Sequence, residues 1–352
     1  MINEINHELR RISIKTYNWE YWPMWMVYFP VGFYYLYLSF RARSFFFFSA
    51  ANPSIETGGM FFESKWKIFQ LIPQKYFPIT ILINADHAID AIKLKMDSAQ
   101  LKFPVIAKPD RGERGWGVKK INDFAELEEY KKNTSVDFLI QDYVSAPLEF
   151  SVFYFRQPDS LKGIVTSVTL KKLLTVEGDG ISTIAQLILK NPRSFLQYKK
   201  LKNNKRINMD QILEKGEEQV LVPYGNHVLG AMFLNYNHII DEDISDSFDI
   251  ISKQIDGFYY GRFDIRCNSI DDLKKGINLS ILELNGAGAE PAHIYHPGFS
   301  FYDAQRVLAK HYKLMFRAAI HNKMEGFPFM DYHSFKEFKN QEKEYKKGVL
   351  IQ

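Results

Sequence analysis

The chain has 352 residues, 46% hydrophobic and 24% charged, enough to bury a substantial core in more than one structural unit. Its formal net charge of +4 is dispersed and gives no reason to expect a nucleic-acid partner. The single cysteine, Cys267, excludes an internal disulfide framework and fits a reducing, cytoplasmic compartment.

Aromatic residues make up 15% of the chain and crowd its first part, an aromatic-rich segment over 1–62. Trp22 to Phe40 carries no charge and is about as long as a bilayer-spanning helix. Arg10, Arg11 and Lys15 precede it, Arg41 and Arg43 follow, and Phe45 to Phe48 form a second apolar burst. Three readings stand: a transmembrane helix, peripheral membrane contact through residues 19–48, or aromatic packing within the fold or at a homodimer interface. Pro23, Pro30, Gly32 and the many Tyr and Trp rings weigh against a span, because such rings favour the membrane interface. Arg41 and Arg43 also interrupt the apolar pattern of a cleaved leader ending near Ser49–Ala51.

A turn-rich stretch from Asn52 to Gly59 is followed by a short helix over Glu63–Leu71, stopped by Pro73. Pro78–Asn84 reads as a strand, Ala85–Leu101 as a helix, and Phe103–Pro109 as a buried strand. After the glycine-rich loop Arg111–Gly117, Asp123 and Glu126 have the spacing of a capping box and open a helix. Strands follow at Phe138–Gln141, Glu149–Phe155 and Lys162–Leu170. The turn Gly178-Asp-Gly180 leads to a helix over Ser182–Lys190, and the basic run Lys199–Arg206 reads as a solvated loop. The spacing further predicts a strand over Ala231–Leu234, a helix over Asp246–Ile255, two strands around Gly261–Arg266 and Ile281–Asn285, and a closing helix over Tyr302–Asn322. A polar excursion, Asn268–Asn278, separates those two strands. The charged tail within 326–352 reads as an exposed helix or disorder.

Strand alternation places Arg262 and Asp264 on one face, and likewise Glu283 and Asn285. If the two strands pair, two carboxylates and an amide converge beside a guanidinium, a hard-oxygen set that suits Mg²⁺ with substrate phosphates. Lys108 ends an apolar strand just before the glycines, so an ammonium and backbone N–H groups are available to phosphate oxygens. Because the lysine precedes the glycines, this is not a Walker A loop.

Taken together, Lys108, the glycine loop, the strand ending Gln141-Asp-Tyr-Val144, Glu149, Arg262-x-Asp264 and Glu283-x-Asn285 resemble the ATP-grasp superfamily. The resemblance is closest to D-alanine–D-alanine ligase-like carboxylate–amine ligases and covers roughly Glu63 to Asn322. Val176-x-Gly178-Asp-Gly180-x-x-Thr183-Ile184 also looks like a segment of cyanophycin-synthetase-type enzymes. The resemblance implies an α+β fold in which two lobes grip ATP, over residues 63–325 with a small lobe at about 103–145. It further implies that Lys65, Lys108 and Lys171 or Lys172 meet ATP phosphates under a loop containing Gly112, Gly115 and Gly117. Gln141 and Val144 would meet adenine, and Glu149 the ribose. Asp264, Glu283 and Asn285 would hold Mg²⁺ (or Mn²⁺), while Arg262 and backbone N–H groups near Gly286 would steady an oxyanion. Glu290 and His293 are candidates for an amine.

The implied activity is a ligase that activates a carboxylate as an acylphosphate and joins it to an amine, releasing ADP. Kinase-type phosphoryl transfer, a non-catalytic nucleotide-binding module and a membrane-associated module are the alternatives. The chain departs from the family in its short aromatic N-terminal segment, in Gln141 where glutamate is common, in the extra residue of Pro147-Leu148-Glu149, and in the long insert between Asp264 and Glu283.

Overall fold

The computed structural model describes residues 2–113, 115–204 and 207–348. It begins with α1 (Ile2–Tyr17) and the aromatic helix α2 (Met24–Ala42), followed by irregular turns and α3 (Lys65–Leu71). A first lobe contains β1 (Thr80–Ile83), α4 (Ile89–Ser98), β2 (Val105–Pro109), β3 (Lys119–Ile121), α5 (Phe124–Lys132) and β4 (Phe138–Asp142). Its four strands form an antiparallel sheet in the order β1-β4-β2-β3. Ile92 and Met96 of α4 and Leu127 and Tyr130 of α5 pack on Val105, Ala107, Phe138 and Ile140.

A second lobe follows with β5 (Leu148–Phe155), β6 (Ile164–Lys172), β7 (Leu174–Glu177), α6 (Ile184–Lys190), α7 (Pro192–Lys202), β8 (Glu218–Val222), β9 (Met232–Asn235) and α8 (Glu242–Lys253). Then come β10 (Tyr260–Cys267), α9 (Ile270–Lys275), β11 (Leu279–Asn285), α10 (Phe301–Met324) and α11 (Tyr332–Lys347). Five of these strands form the sheet β11-β10-β5-β6-β9, and β7 pairs with β8. One face of the large sheet is apolar: Phe150, Val152 and Tyr154 pack with Ile244, Phe248 and Ile251 of α8.

The other face changes character along β5. Phe153 and Phe155 lie under Leu314, Met315 and Ala318 of α10, whereas Glu149 and Ser151, on the same side by alternation, are the polar positions beyond the helix. The sequence Leu-Glu-Phe-Ser-Val-Phe-Tyr-Phe thus encodes a buried back, a covered half-front and an open polar end.

Several elements differ from the sequence expectation. The basic run from Lys199 is helical through Lys202 at the end of α7; its lysines project from a helix whose Phe195 and Leu201 are buried. Residues 205 and 206 of that run lie outside the described residues. The excursion between β10 and β11 contains α9, capped by Ser269. At α5, Asp123 accepts the Glu126 N–H, but the Glu126 carboxylate reaches back to the N–H of Asn122, one residue earlier than a capping box requires. The tail is a largely exposed helix, as one of its two sequence readings has it, and the added feature is that its end is docked: the Tyr345 hydroxyl donates to the Asp137 carbonyl at 2.7 Å and accepts the Arg111 N–H at 3.1 Å.

The aromatic segment is split. Phe47, Phe48, Ala50 and Ala51 lie in the core with Tyr260 and α10, and Val27, Val31, Leu38 and Ala42 of α2 are buried. Among the described residues no helix is long and apolar enough to cross a membrane, which corrects the transmembrane alternative. The turn after it is held by Asn52, whose amide satisfies the N–H groups of Tyr259 and Tyr260 and the carbonyls of Gly58 and Tyr260 at 2.8–3.0 Å. Gly59 then approaches the loop after β11 so closely that a Cβ there would lie 2.6 Å from the Gly286 Cα.

Candidate functional site

β10 pairs antiparallel with β11, setting Arg262 opposite Asn285 and Asp264 opposite Glu283. It also pairs with β5, setting Asp264 opposite Ser151 and Arg266 opposite Glu149, while β6 brings Lys171 opposite Glu149. These neighbours build a chain of charge across the open end of the large sheet. Asp264 accepts from Arg262 Nε at 2.9 Å and Nη2 at 3.0 Å, and from the Ser151 hydroxyl at 2.6 Å. Lys171 Nζ lies 3.2 Å from Asp264 and 3.3 Å from Glu149. Arg266 completes the row on Glu149 at 3.1 Å.

Burial alone would raise the Asp264 pKa, but Arg262, Lys171 and the Ser151 hydroxyl more than offset this and hold the carboxyl well below its usual range. Burial likewise opposes the charge of Lys171, and Asp264 and Glu149 outweigh it, leaving the ammonium firmly protonated. At neutral pH this wall therefore presents fixed, mutually compensated charges.

The wall from the first lobe is different. Lys108 lies next to the end of β2, and its ammonium donates to the Gln141 side-chain oxygen at 2.9 Å and to the Leu282 carbonyl of β11 at 3.1 Å. Burial depresses its pKa to about 8. Lys65, at the start of α3, donates to the Gly112 carbonyl. Asp110 ties that helix to the loop, accepting from Ser64 Oγ at 3.0 Å and Trp66 N–H at 2.8 Å. Gly112 and Gly115 take φ of +135° and +75°, conformations that side-chain-bearing residues rarely adopt. Arg114, within this loop, lies outside the described residues.

The two walls enclose one cleft of about 780 Å³, within the range of small-molecule sites. It is lined by Lys65, Lys108, Gly112, Gly115, Gln141, Val144, Glu149, Lys171, Arg262, Asp264, Glu283 and Asn285. Gly117 is not in the lining; its carbonyl accepts the Tyr130 hydroxyl. Of the two adjacent lysines, Lys171 points into the cleft, while Lys172, on the opposite face of β6, lies 3.6 Å from Glu218. The Gln141 amide is shared between Lys108 and Thr80, and the Val144 carbonyl accepts from Arg266.

Two expectations near the end of β11 are corrected. The N–H groups of Ala287 and Gly288 donate to the carbonyls of Gly58 and Gly59, so they are spent on the turn and not available to an oxyanion. His293 is buried against Ser167 at 2.7 Å, and burial pushes its imidazole down to about 3; it does not line the cleft. Glu290 does, and it accepts from the Tyr28 and Tyr295 hydroxyls.

Other residues in or behind the cleft wall escape sequence reasoning. Arg266 and Ser151 extend alternating rows already recognised, so strand periodicity carried their signal. Glu63 lines the cleft with one carboxylate oxygen lacking a hydrogen bond, and burial raises its pKa to about 7. Glu20 is held by Arg193 at 2.6 Å and His227 at 3.1 Å, partners far away in sequence. With Tyr21, Trp22 and Met24 it brings the aromatic segment into the cleft wall.

No family model matches the chain, and no curated protein matches it. Solved structures similar to it include a bifunctional glutathione synthetase from Pasteurella multocida, at 15% identity and a TM-score of 0.39, covering 72% of this chain and 35% of that one. Another is the VanG D-Ala:D-Ser ligase from Enterococcus faecalis, at 12% identity and a TM-score of 0.42, covering 76% and 62%. A third is a D-alanine–D-alanine ligase from Bacillus anthracis, at 14% identity and a TM-score of 0.37, covering 79% and 68%. The chain thus spans about a third of the first and less than two thirds of the second. Likeness at this level decides nothing about chemistry, which has to be read from the cleft's own groups.

Proposed function

We propose that the chain is an ATP- and Mg²⁺-dependent ligase that joins a carboxylate to an amine through an acylphosphate. One observation carries this reading: cations from both lobes, Lys108 from the first and Lys171 and Arg262 from the second, together with Lys65 of α3, line the same cleft as Asp264, Glu283 and Asn285. Such a set suits a polyphosphate with its divalent ion.

The donor chemistry fits the metal. Two carboxylates and an amide are hard donors, and the buried Asn285 amide nitrogen has no hydrogen-bond partner, leaving the amide unconstrained by a second contact. Among the described residues no group of three or more His, Cys, Asp or Glu forms a cage, so phosphate oxygens and water would have to complete the ion's shell. Asp264, Glu283 and Asn285 would hold Mg²⁺ or Mn²⁺, whose charge would offset that of the transferring phosphoryl group.

Phosphoryl transfer depends mainly on positioning and electrostatics. Lys108 from the small lobe and Lys65 from α3 would hold the phosphates while the glycine loop closes over them. The end of β4, Gln141 to Val144, would meet adenine, chiefly through main chain because the Gln141 side chain is tied to Lys108. Glu149 would meet the ribose. A carboxylate oxygen of the substrate would attack the γ-phosphorus, with ADP departing on the bridging oxygen. The amine nitrogen would then add to the acyl carbon, and the tetrahedral centre would expel phosphate and lose the amine proton, leaving an amide. Arg262 would steady the oxyanion of that centre.

Screening amino acids and peptides with Mg-ATP tests the reading. The expected result is ADP release that needs both a carboxylate and an amine, and a hydroxamate when hydroxylamine replaces the amine. A stable phosphorylated product without hydroxamate would make the protein a kinase, and nucleotide binding without ADP release from any combination would make it a binding module.

A further inference from the structure

α2 is apolar around its whole circumference until Arg41, a composition suited to a helix covered on all sides. The fold covers one side only. Trp25, Phe29, Phe33 and Phe40 are 70, 65, 63 and 84% exposed, and Leu36 and Tyr37 are more than half exposed. Spacings of four, four and seven residues place the four rings in one row along the outer side of the helix.

Beside this row, α10 has a basic outer side. Arg306, Lys310, Lys313 and Arg317, again at helical spacing, are all exposed. The helices are in direct contact: Gln305 of α10 donates to the Val27 carbonyl at 2.9 Å, and the Tyr35 and Tyr312 rings meet edge to face. The Arg41 guanidinium joins the two surfaces, lying 6.0 Å from the Tyr37 ring centre and 5.7 Å from that of Phe316. Arg43, also exposed, follows α2 directly. The only acidic residue in α2 or α10 is Asp303, 3.8 Å from Arg306.

We propose that this face docks peripherally on an anionic lipid surface, with the α2 rings at the headgroup boundary and the α10 cations on lipid phosphates and carboxylates. Aromatic rings favour that boundary, and stable surface binding needs the two signals found here together, apolar area and basic charge. Charge complementarity selects lipid over a second copy of the chain. A two-fold contact uses the same patch on both partners, so it would set one basic helix beside another, a juxtaposition that costs affinity.

The test is co-sedimentation of the full chain with vesicles of phosphatidylcholine alone or with about one third phosphatidylserine. Binding to the anionic vesicles is expected at low salt, weakening at least about tenfold without phosphatidylserine or in about 1 M salt. The triple variant Phe29→Ser, Phe33→Ser, Phe40→Ser should lose about tenfold or more, with its thermal transition showing that it remains folded. Lys310→Glu with Lys313→Glu should weaken only anionic-vesicle binding. Failure of the wild-type chain to bind, or binding unchanged by both sets of substitutions, would overturn the proposal. So would a lipid-free dimer, seen by sedimentation velocity, that the ring substitutions dissolve without any vesicle binding by the wild type.

Discussion

The two walls of the cleft hold cations in opposite states. On the large sheet, Lys171 sits between Asp264 and Glu149, Arg262 grips Asp264, and Arg266 grips Glu149. Across from them Lys108 is equally buried but faces a neutral amide and a carbonyl, and burial draws its pKa to about 8. The large-lobe cations are already matched by protein carboxylates, whereas the small-lobe lysine lacks an anion in contact. Under the proposed function this difference suits Lys108 to receiving phosphate and the large-lobe row to keeping Asp264 ionised and oriented.

The contrast breaks most visibly at Asp264. Asp264→Asn leaves Arg262 buried against a neutral amide and Lys171 with Glu149 alone, at a cost of about 3 kcal/mol by denaturant titration. Removing its charge from the metal set should lower turnover by about a thousandfold or more; wild-type-like turnover would overturn its assignment. Lys171→Met should cost about 2–3 kcal/mol because two buried carboxylates lose a shared cation. The neighbouring Lys172→Met should change stability by no more than about 0.5 kcal/mol.

Lys108→Met should behave in the opposite way to Lys171→Met. Nucleotide affinity, measured by calorimetry, should fall by about 10–100-fold, while stability without nucleotide should hold or rise. The pH dependence sharpens this. Lys108 has a folded pKa of about 8 against an ordinary 10.5, so the folded state binds fewer protons between those values. Its destabilising effect is complete below pH 8 and is relieved as pH rises through that window, and nucleotide affinity should decline above pH 8 as the free lysine loses its charge. The methionine variant should lack both trends.

A trend of the opposite sign belongs to Glu63. Its pKa is raised from 4.5 to about 7 by burial, so the folded state binds more protons across that interval and wild-type stability falls as pH rises through it. Glu63→Gln should flatten the fall in melting temperature between pH 4.5 and 7.

What could be read from the chain depended on local periodicity. Arg262, Asp264, Glu283 and Asn285 were assigned to faces because alternation in a strand is fixed, and the two strands do pair. The same rule could not choose between Lys171 and Lys172 until β5 set the register of β6. Long-range commitments were invisible: no local pattern shows that the Ala287 and Gly288 N–H groups are taken by residues 58 and 59, or that Glu20 meets Arg193. The basic run Lys199–Arg206 reads as a loop because the apolar side of α7, with Phe195 and Leu201 buried, is sparse.

If groups from both lobes hold one nucleotide, calorimetric titration of the chain with Mg²⁺ and a non-hydrolysable ATP analogue will report it. The wild-type chain should bind one equivalent, and Lys108→Met and Asp264→Asn, altered on opposite walls, should each weaken binding at least about tenfold. Unchanged affinity in either folded variant would contradict it.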